Sequence, residues 1–389
     1  MGRSYSYGRQ SIDEDDRRAV EEVLRSDWLT QGPAVGRFEA ALREACGARH
    51  AAAVANGTAG LHLAGLALGW GPGDVVITTP ITFLASANCI LYAGARADFV
   101  DIDPVTYTLD PARLEERLEQ HRRAGTSVKA VVAVDYAGLP CDWAALGALA
   151  QRYGFQLVDD ACHALGATLD GDPGYGVKRA QIVVLSFHPV KHITTGEGGA
   201  VLTDDPALDE RVRTLRTHGM VKDEKRLRQN DGPWYYEMHE LGFNYRITDL
   251  QCALGVSQLR KLSGFLTARR RIAEQYDAAF ATDDRFVIPA RRSAASHAYH
   301  LYPLRIRLER IGRSRAEVFA RLKAAGVNCQ VHYIPVHLQP YYRERFGFRP
   351  GDCPVAERFY AEEISIPMYP GLGSDDVHYI VEEIRRAVA

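Results

Sequence analysis

The sequence lacks the features of several broad classes of protein. Its 389 residues include 47 Lys and Arg against 49 Asp and Glu, so no basic excess indicates binding to nucleic acid or to a membrane surface. The most apolar stretch, residues 51–70, is interrupted by Asn56, Gly57, Thr58 and His62 and therefore cannot span a membrane. Residues 1–18 have no apolar core of the kind found in signal peptides.

Cysteine occurs in an odd number, seven, and the sequence has no C-x-x-C pair. A reduced thiol state is the simplest interpretation, and with the missing signal peptide it predicts a cytoplasmic protein. Ligand residues with metal-site spacing are also missing, so we expect no metal ion. No short-period repeat or low-complexity tract occurs, and a solenoid is therefore not expected.

Between Arg49 and Thr203, short apolar segments alternate with longer helical ones. Runs such as VVAV at 131–134 are typical of strands buried on both faces, as in a parallel sheet covered by helices. The pattern predicts an α/β fold with a mostly parallel sheet flanked by helices. The predicted strands are residues 50–55, 74–78, 97–102, 129–135, 155–160, 182–187 and 199–204, and the predicted helices are 57–68, 84–94, 110–125 and 141–154.

The rest of the chain has a different pattern. We place a large domain at residues 1–254 and a smaller C-terminal α+β domain at 255–389. The polar segment 219–236 has no periodicity and predicts a long loop, a feature that is often functional. The other predicted elements are a long helix at 249–277, strands at 300–308 and 330–333, and helices at 314–326 and from about Asp375.

Gly57 and Thr58 lie in a turn between a predicted strand and a predicted helix. Such a turn exposes backbone N–H groups at a helix N-terminus, which is a favourable seat for a phosphate. The turn matches neither the Walker motif nor the Rossmann fingerprint. The alternative is an ordinary turn in which Thr58 is the N-cap.

Asp159 and Asp160 end another predicted strand, and His163 follows three residues later. Ligands of open α/β sheets bind at the carboxyl ends of the strands, so a carboxylate there could pair with a cationic ring nitrogen. Alternatively, both aspartates cap or turn the chain. A metal site formed with Cys162 is the weaker hypothesis, because adjacent ligands rarely converge on one ion.

Ser186, His188 and Lys191 follow the strand at 182–187 and precede a glycine-rich turn. A lysine in a partly dry crevice loses its proton more readily and becomes a usable amine nucleophile. The alternative is an exposed lysine on a simple connection. Phe83 also follows a strand end, where it could stack on a planar cofactor or pack in the core. A phosphate seat, an acid, an amine and an aromatic ring at strand ends together predict a pocket for pyridoxal 5′-phosphate (PLP).

The chain resembles the DegT/DnrJ/StrS family of PLP-dependent sugar aminotransferases over nearly its whole length. The resemblance implies fold type I, the aspartate aminotransferase fold, and a homodimer with shared active sites. The segments that carry it are residues 56–64, 78–88, 134–138, 158–167, 186–205, 216–220, 244–259, 300–304 and 331–342.

The resemblance also implies roles for single residues. Lys191 would bind PLP covalently as a Schiff base, with pyridoxamine 5′-phosphate forming during turnover. Asp160 would pair with the pyridine nitrogen and His163 would lie beside the phenolic oxygen, which makes these three the predicted catalytic residues. The other predicted cofactor residues are Gly57, Thr58 and Ser186 at the phosphate, Phe83 on the ring and Asn244 from the neighbouring subunit. The predicted substrate contacts are Tyr7, Leu29, Thr30, Gln31, His188, His332 and Tyr333.

Residues 77–88, 186–201 and 331–337 look most like those of family members that act in pseudaminic acid biosynthesis. This implies amino transfer from L-glutamate to the 4-keto group of a UDP-linked 4-keto-6-deoxy-N-acetylhexosamine. The alternatives are a dTDP- or GDP-linked keto sugar, amination at C3, a dehydratase, a PLP-binding regulator, or a phosphosugar-binding protein without PLP. In dehydratases of this fold a histidine replaces the lysine, and here Lys191 is present.

Two positions depart from the family pattern. Ala59 stands where some relatives have a hydroxyl residue, so the phosphate site is expected to have one bond fewer. His192 follows the lysine where close relatives often have proline or asparagine, and neither the residues nor the resemblance assigns it a role.

Overall fold

A computed structural model of the protein describes residues 4–389. The helices are α1 (Glu14–Leu24), α2 (Pro33–Cys46), α3 (Gly57–Ala67), α4 (Ala85–Tyr92), α5 (Pro111–Arg123), α6 (Trp143–Tyr153), α7 (Tyr175–Arg179), α8 (Pro206–Arg216), α9 (Asp249–Arg260), α10 (Leu262–Phe280), α11 (Leu308–Ile311), α12 (Arg315–Ala324), α13 (Pro340–Phe346), α14 (Pro354–Glu362) and α15 (Ser374–Val388). The strands are β1 (Tyr5–Ser6), β2 (His50–Val54), β3 (Val75–Thr78), β4 (Arg96–Phe99), β5 (Val128–Val134), β6 (Gln156–Asp160), β7 (Thr168–Leu169), β8 (Ile182–Ser186), β9 (Gly199–Thr203), β10 (Met220–Val221), β11 (Glu237–Met238), β12 (Phe286–Val287), β13 (Ala295–Ser296), β14 (Tyr302–Ile306), β15 (Val327–Asn328) and β16 (Glu363–Ile366).

A seven-stranded sheet forms the centre of the molecule, in the order β2-β9-β8-β6-β5-β3-β4. Strands β8, β6, β5, β3 and β4 pair in parallel, whereas β9 is antiparallel to both of its neighbours. The side chains of β5 are buried almost throughout because helices cover both faces of the sheet. The predicted α/β fold, mostly parallel with flanking helices, is confirmed together with each predicted strand and helix between residues 50 and 204.

A smaller antiparallel sheet, β12-β14-β16, lies in the C-terminal part of the chain. A separate apolar cluster forms on it, to which α10, α12 and α15 contribute. Helix α10 takes part in both cores, because Leu262 and Leu266 pack in the large cluster and Tyr276 and Phe280 in the small one. The proposed domain boundary at 254/255 falls inside α9, and the next helix, α10, is shared by both cores.

Some sequence predictions in the second half of the chain are wrong. The expected helix at 249–277 is two helices, because at Lys261 the backbone N–H bonds to the Gln258 carbonyl three residues earlier and tightens the turn. The expected strand at 330–333 is absent, since only Gln330 pairs, with Ser365. By contrast, the expected long loop at 219–236 is present, and Met220–Val221 pair with Glu237–Met238 and close its base.

No helix among residues 4–389 is both long enough and apolar enough to cross a membrane.

Candidate active site

A cleft of about 660 Å³ opens where the carboxyl ends of several parallel strands meet a layer of C-terminal loops. Asp160 ends β6 and Ser186 ends β8, and both line the cleft. From the other side it is lined by His300 and by residues 330–334. Because the strands are parallel and adjacent, residues far apart in sequence arrive at one edge of the sheet.

One end of the cleft is the N-terminus of α3. Its N-cap is Asn56, whose side chain accepts a hydrogen bond from the Ala59 N–H at 2.8 Å, so the alternative with Thr58 as N-cap is wrong. The N–H groups of Gly57 and Thr58 have no acceptor in the described chain. A Cβ on Gly57 would lie 3.0 Å from the Ser186 Cβ, so only glycine lets the two segments approach so closely. These donors and the Ser186 hydroxyl suit a phosphate.

Asp160 lies at the centre of the cleft floor and is held by two hydrogen bonds. The Ser86 hydroxyl donates to Oδ2 at 2.5 Å, and the Cys162 N–H donates to Oδ1 at 3.2 Å. Ser86 is fully buried and is itself 2.6 Å from the Thr82 hydroxyl. Ser86 is not among the residues predicted from the sequence, although its place three residues after Phe83 in the same segment could have indicated it. The carboxylate is thereby oriented to receive a cationic partner.

Asp159 faces the opposite side of the sheet, because successive residues of a strand alternate. It is fully buried, and neither carboxyl oxygen has a hydrogen-bond partner in the described chain. Burial raises its pKa well above the usual range, and the nearby Asp135 and Asp160 raise it further. Asp159 is therefore a core residue whose burial favours the protonated, neutral form, and it lies outside the cleft.

Lys191 reaches the cleft from the turn after β8. Its Nζ lies 3.4 Å from His300 Nε2, and the ammonium forms no ion pair within residues 4–389. Burial lowers its pKa, while Cys162 and Asp160 act in the opposite direction. The turn is fixed behind it, where Thr195 N–H donates to the Phe187 carbonyl at 3.0 Å. The site thus holds a half-buried amine that loses its proton more easily than a solvated lysine.

Neutral imidazoles surround Lys191. His163 accepts the Ala137 N–H at Nδ1, at 3.3 Å, so its Nε2 carries the proton and lies 3.1 Å from the Tyr333 hydroxyl. Its ring centroid is 4.3 Å from that of His300. Burial lowers the pKa of both histidines well below the usual range, and the Lys191 charge adds to this. His300 was missed by sequence reasoning, which read residues 300–308 as a plain strand.

His192, which the sequence left without a role, lies behind the lysine and outside the cleft. It is buried, and its Nε2 donates to the Ala298 carbonyl at 3.1 Å. Burial also lowers its pKa well below the usual range, so it stays neutral. His192 therefore ties the lysine turn to the segment that carries His300.

The structure brings most of the predicted site residues to the cleft. They are Tyr7, Gly57, Thr58, Phe83, Asp160, His163, Ser186, His188, Lys191, His332 and Tyr333. Phe83 is 58% exposed and lies at the rim, with its ring centroid 6.2 Å from that of Tyr333. Leu29, Thr30, Gln31 and Asn244 do not line the cleft of the single chain and are exposed on its surface. The role of Asn244 in a neighbouring subunit stays a prediction.

Comparison with known proteins places this site in context. The sequence matches the DegT/DnrJ/EryC1/StrS aminotransferase family over residues 10–385. A UDP-4-amino-4,6-dideoxy-N-acetyl-beta-L-altrosamine transaminase of Campylobacter jejuni is 37% identical over 97% of this chain and 96% of its own length. Helicobacter pylori PseC, an aminotransferase involved in the biosynthesis of pseudoaminic acid, has a TM-score of 0.89 and 31% identity over 99% of both chains. The PLP form of Spr1654 from Streptococcus pneumoniae has a TM-score of 0.87 and 27% identity over 100% of this chain and 99% of that one.

Proposed function

Because the chain belongs to the DegT/DnrJ/EryC1/StrS aminotransferase family, we propose that it moves an amino group from L-glutamate to a nucleotide-linked keto sugar. The proposed acceptor is the 4-keto group of a UDP-linked 4-keto-6-deoxy-N-acetylhexosamine. The product would be a 4-amino-4,6-dideoxy sugar nucleotide for pseudaminic acid or a related glycan. The choice of acceptor is supported by the similarity to the Campylobacter jejuni transaminase.

The cleft residues fit PLP, the cofactor that the family uses. Gly57, Thr58 and Ser186 offer hydrogen-bond donors for a phosphate at a helix N-terminus. The oriented carboxylate of Asp160 suits a protonated ring nitrogen. The Lys191 amine is half-buried and forms no ion pair in the described chain, so it is available to hold the cofactor covalently. That unpaired, half-buried amine in the same cleft as Asp160 is the observation that carries the proposal.

When bound, PLP supplies an electron sink, which would stabilise the electron pair left on a carbon when that carbon loses its proton. Asp160 would keep that sink effective by holding a positive charge at the ring nitrogen. The Lys191 amine, with its lowered pKa, would take a proton from the donor's α-carbon and return one to the sugar carbon. His163 and His300 are neutral, so they orient oxygen atoms without repelling the lysine charge.

The same cleft would serve both half-reactions in turn. Phe83 at the rim would stack on the cofactor ring, and the imidazole of His332 faces the space left for the substrate. A homodimer that completes the site with Asn244 is part of the proposal, and exposed apolar residues such as Trp28 and Leu241 are compatible with it.

The test is an assay of purified protein with PLP, L-glutamate and a panel of UDP-, dTDP- and GDP-linked keto sugars. We expect 2-oxoglutarate and a 4-amino sugar nucleotide only with the UDP-linked 4-keto substrate, as read by mass spectrometry and NMR of the product. Absorbance of a protein-bound chromophore, fixed to Lys191 by borohydride and located by peptide mapping, reports the covalent link independently. Turnover with a keto sugar on another nucleotide would show that the proposed UDP-linked substrate is wrong. Borohydride fixation of the chromophore to a residue other than Lys191 would overturn the role of Lys191.

A further inference from the structure

Behind the cleft, three side chains form a buried hydrogen-bonded series. His332 Nδ1 lies 2.8 Å from the Ser365 hydroxyl, which lies 2.5 Å from Glu363 Oε1. The other carboxyl oxygen, Oε2, accepts the His332 N–H at 2.9 Å. Glu363 and Ser365 are both fully buried, whereas His332 lines the cleft. The series thus connects a carboxyl that solvent does not reach with a ring that contacts the substrate space.

Strand β16 fixes this arrangement. Glu363 and Ser365 project from the same face because side chains alternate along a strand. Ser365 exchanges two backbone hydrogen bonds with Gln330, at 2.7 and 3.1 Å, which positions the segment that leads to His332. The hydroxyl of Tyr136 donates to the His332 carbonyl at 2.6 Å. The imidazole is therefore held at its backbone and at Nδ1, and Nε2 remains for the cleft.

The surroundings of Glu363 contain no strong counter-charge. Arg315 of α12 is the nearest cation, and its guanidinium bonds to backbone carbonyls of Tyr360 and Glu363. The other titratable groups near Glu363 are Cys329, Tyr136 and Tyr333. Those near His332 are Lys191, His163, Tyr7 and Tyr333. Burial raises the pKa of Glu363 to about 8, and hydrogen bonds from Ser365 and His332 oppose the shift. Glu363 therefore titrates near neutral pH.

The protonation state of Glu363 determines the direction of both hydrogen bonds. When Glu363 is a carboxylate, Ser365 donates to it and His332 Nδ1–H donates to Ser365, so Nε2 is an acceptor. When one proton enters at Nε2, the Nδ1 proton passes to the Ser365 oxygen and the Ser365 proton passes to Glu363. Nε2 then carries a hydrogen and is a donor, and the ring is neutral in both states. Burial beside Lys191 lowers the pKa of His332 to about 3, which disfavours the doubly protonated ring.

We propose that Glu363 and Ser365 are positioning residues that set whether His332 offers a hydrogen-bond donor or an acceptor to the bound sugar. In the protonated state the cleft presents Nε2–H to an oxygen of the keto sugar, its carbonyl or a hydroxyl. When Glu363 is deprotonated at higher pH, Nε2 of His332 has only a lone pair and repels a carbonyl oxygen. This inference rests on the proposed function for the identity of the ligand, but the proton arrangement does not depend on it.

The kinetic test compares the pH profiles of three proteins. In the unsubstituted enzyme, KM for the keto sugar should rise about tenfold between pH 7 and 9, the value of one hydrogen bond. Glu363→Gln donates permanently to Ser365 and should keep KM low and independent of pH. The matched control is Glu362→Gln, since Glu362 pairs with Arg305 and Arg358 outside the series and should keep the original profile. An unchanged profile in Glu363→Gln would overturn the proposal.

A second readout needs no turnover. In protein labelled with ¹⁵N-histidine, the two ring nitrogens of His332, assigned from their loss in His332→Asn, report which one carries the proton. We expect the proton on Nε2 at pH 7 and on Nδ1 at pH 9, with Glu363→Gln keeping it on Nε2 and Ser365→Ala removing the coupled change. A tautomer that is the same at both pH values contradicts the inference. A tautomer that changes in a protein inactive on every keto sugar would contradict the proposed function alone.

Discussion

The two sides of the cleft are built in different ways. The floor consists of Gly57, Thr58, Asp160, Ser186 and Lys191, each of which lies at the end of a strand of the central sheet or in the turn or helix start that follows one. The wall consists of His300, His332 and Tyr333, which belong to loops outside that sheet. The floor contains the charges and the phosphate seat, whereas the wall contains aromatic and imidazole rings that are neutral at physiological pH.

The difference in construction reflects what fixes each position. A floor residue is placed by strand pairing, as where Asp160 pairs with Val134 and Val184 on the two neighbouring strands. A wall residue is placed by side-chain contacts between distant segments, as where Tyr136 bonds to the His332 carbonyl 196 residues away. We infer that the floor determines which chemistry takes place and that the wall determines which substrate is accepted.

Arg269 shows how much of the wall depends on buried polar contacts. It is fully buried in α10, and one guanidinium nitrogen donates to the carbonyls of Tyr299, His300 and Met368 at 3.0, 3.3 and 2.9 Å. The Met368 N–H in turn donates to the Tyr7 carbonyl at 2.9 Å. One side chain thus holds the segment that carries His300 against Met368, which in turn holds the backbone at Tyr7, a second residue of the cleft lining.

The most severe test of the floor is Lys191→Ala. The variant removes the only amine proposed to hold the cofactor and to move the proton, so we expect turnover to fall below detection, roughly 10⁴-fold or more. The control is Lys178→Ala, which removes an exposed lysine paired with Asp172 at 2.5 Å and should leave kcat unchanged. Steady-state assays with glutamate measure both. Substantial amino transfer by Lys191→Ala would mean that the chemistry does not depend on the floor.

The adjacent aspartates give a sharper comparison within one strand. Asp160→Asn keeps the shape but removes the charge at the cleft, and we expect kcat to fall about a hundredfold. Asp159→Asn places a neutral amide where the raised pKa of Asp159 already favours the neutral acid. We expect kcat within about twofold of the original and a free energy of unfolding within about 1 kcal/mol. An equal loss of kcat in Asp159→Asn and Asp160→Asn would contradict the assignment of the two residues to opposite faces of β6.

The floor was largely predictable from the sequence and the wall was not. Alternating apolar segments predicted the strands, and parallel strands must bring residues such as Asp160 and Lys191 to one edge. One detail of the floor was not predictable: local patterns could not show that Asp159 is a core residue and Asp160 a cleft residue. The distinction depends on which face of β6 each residue occupies. The residues that hold the wall, such as Arg269 and Glu363, carry no local signal because their partners are supplied by distant segments. His332 and Tyr333 were found by resemblance alone.

The smallest expected effect concerns a single hydroxyl of the wall. Tyr333 lies 3.1 Å from His163 Nε2, and Tyr333→Phe removes that contact but keeps the ring beside Phe83. We expect kcat/KM for glutamate and for the sugar to fall about fivefold, the value of one hydrogen bond. Tyr341→Phe, on a tyrosine that is 55% exposed, is the control and should change neither constant. A loss of a hundredfold or more would mean that the Tyr333 hydroxyl moves a proton itself, and the wall would then share in the chemistry assigned to the floor.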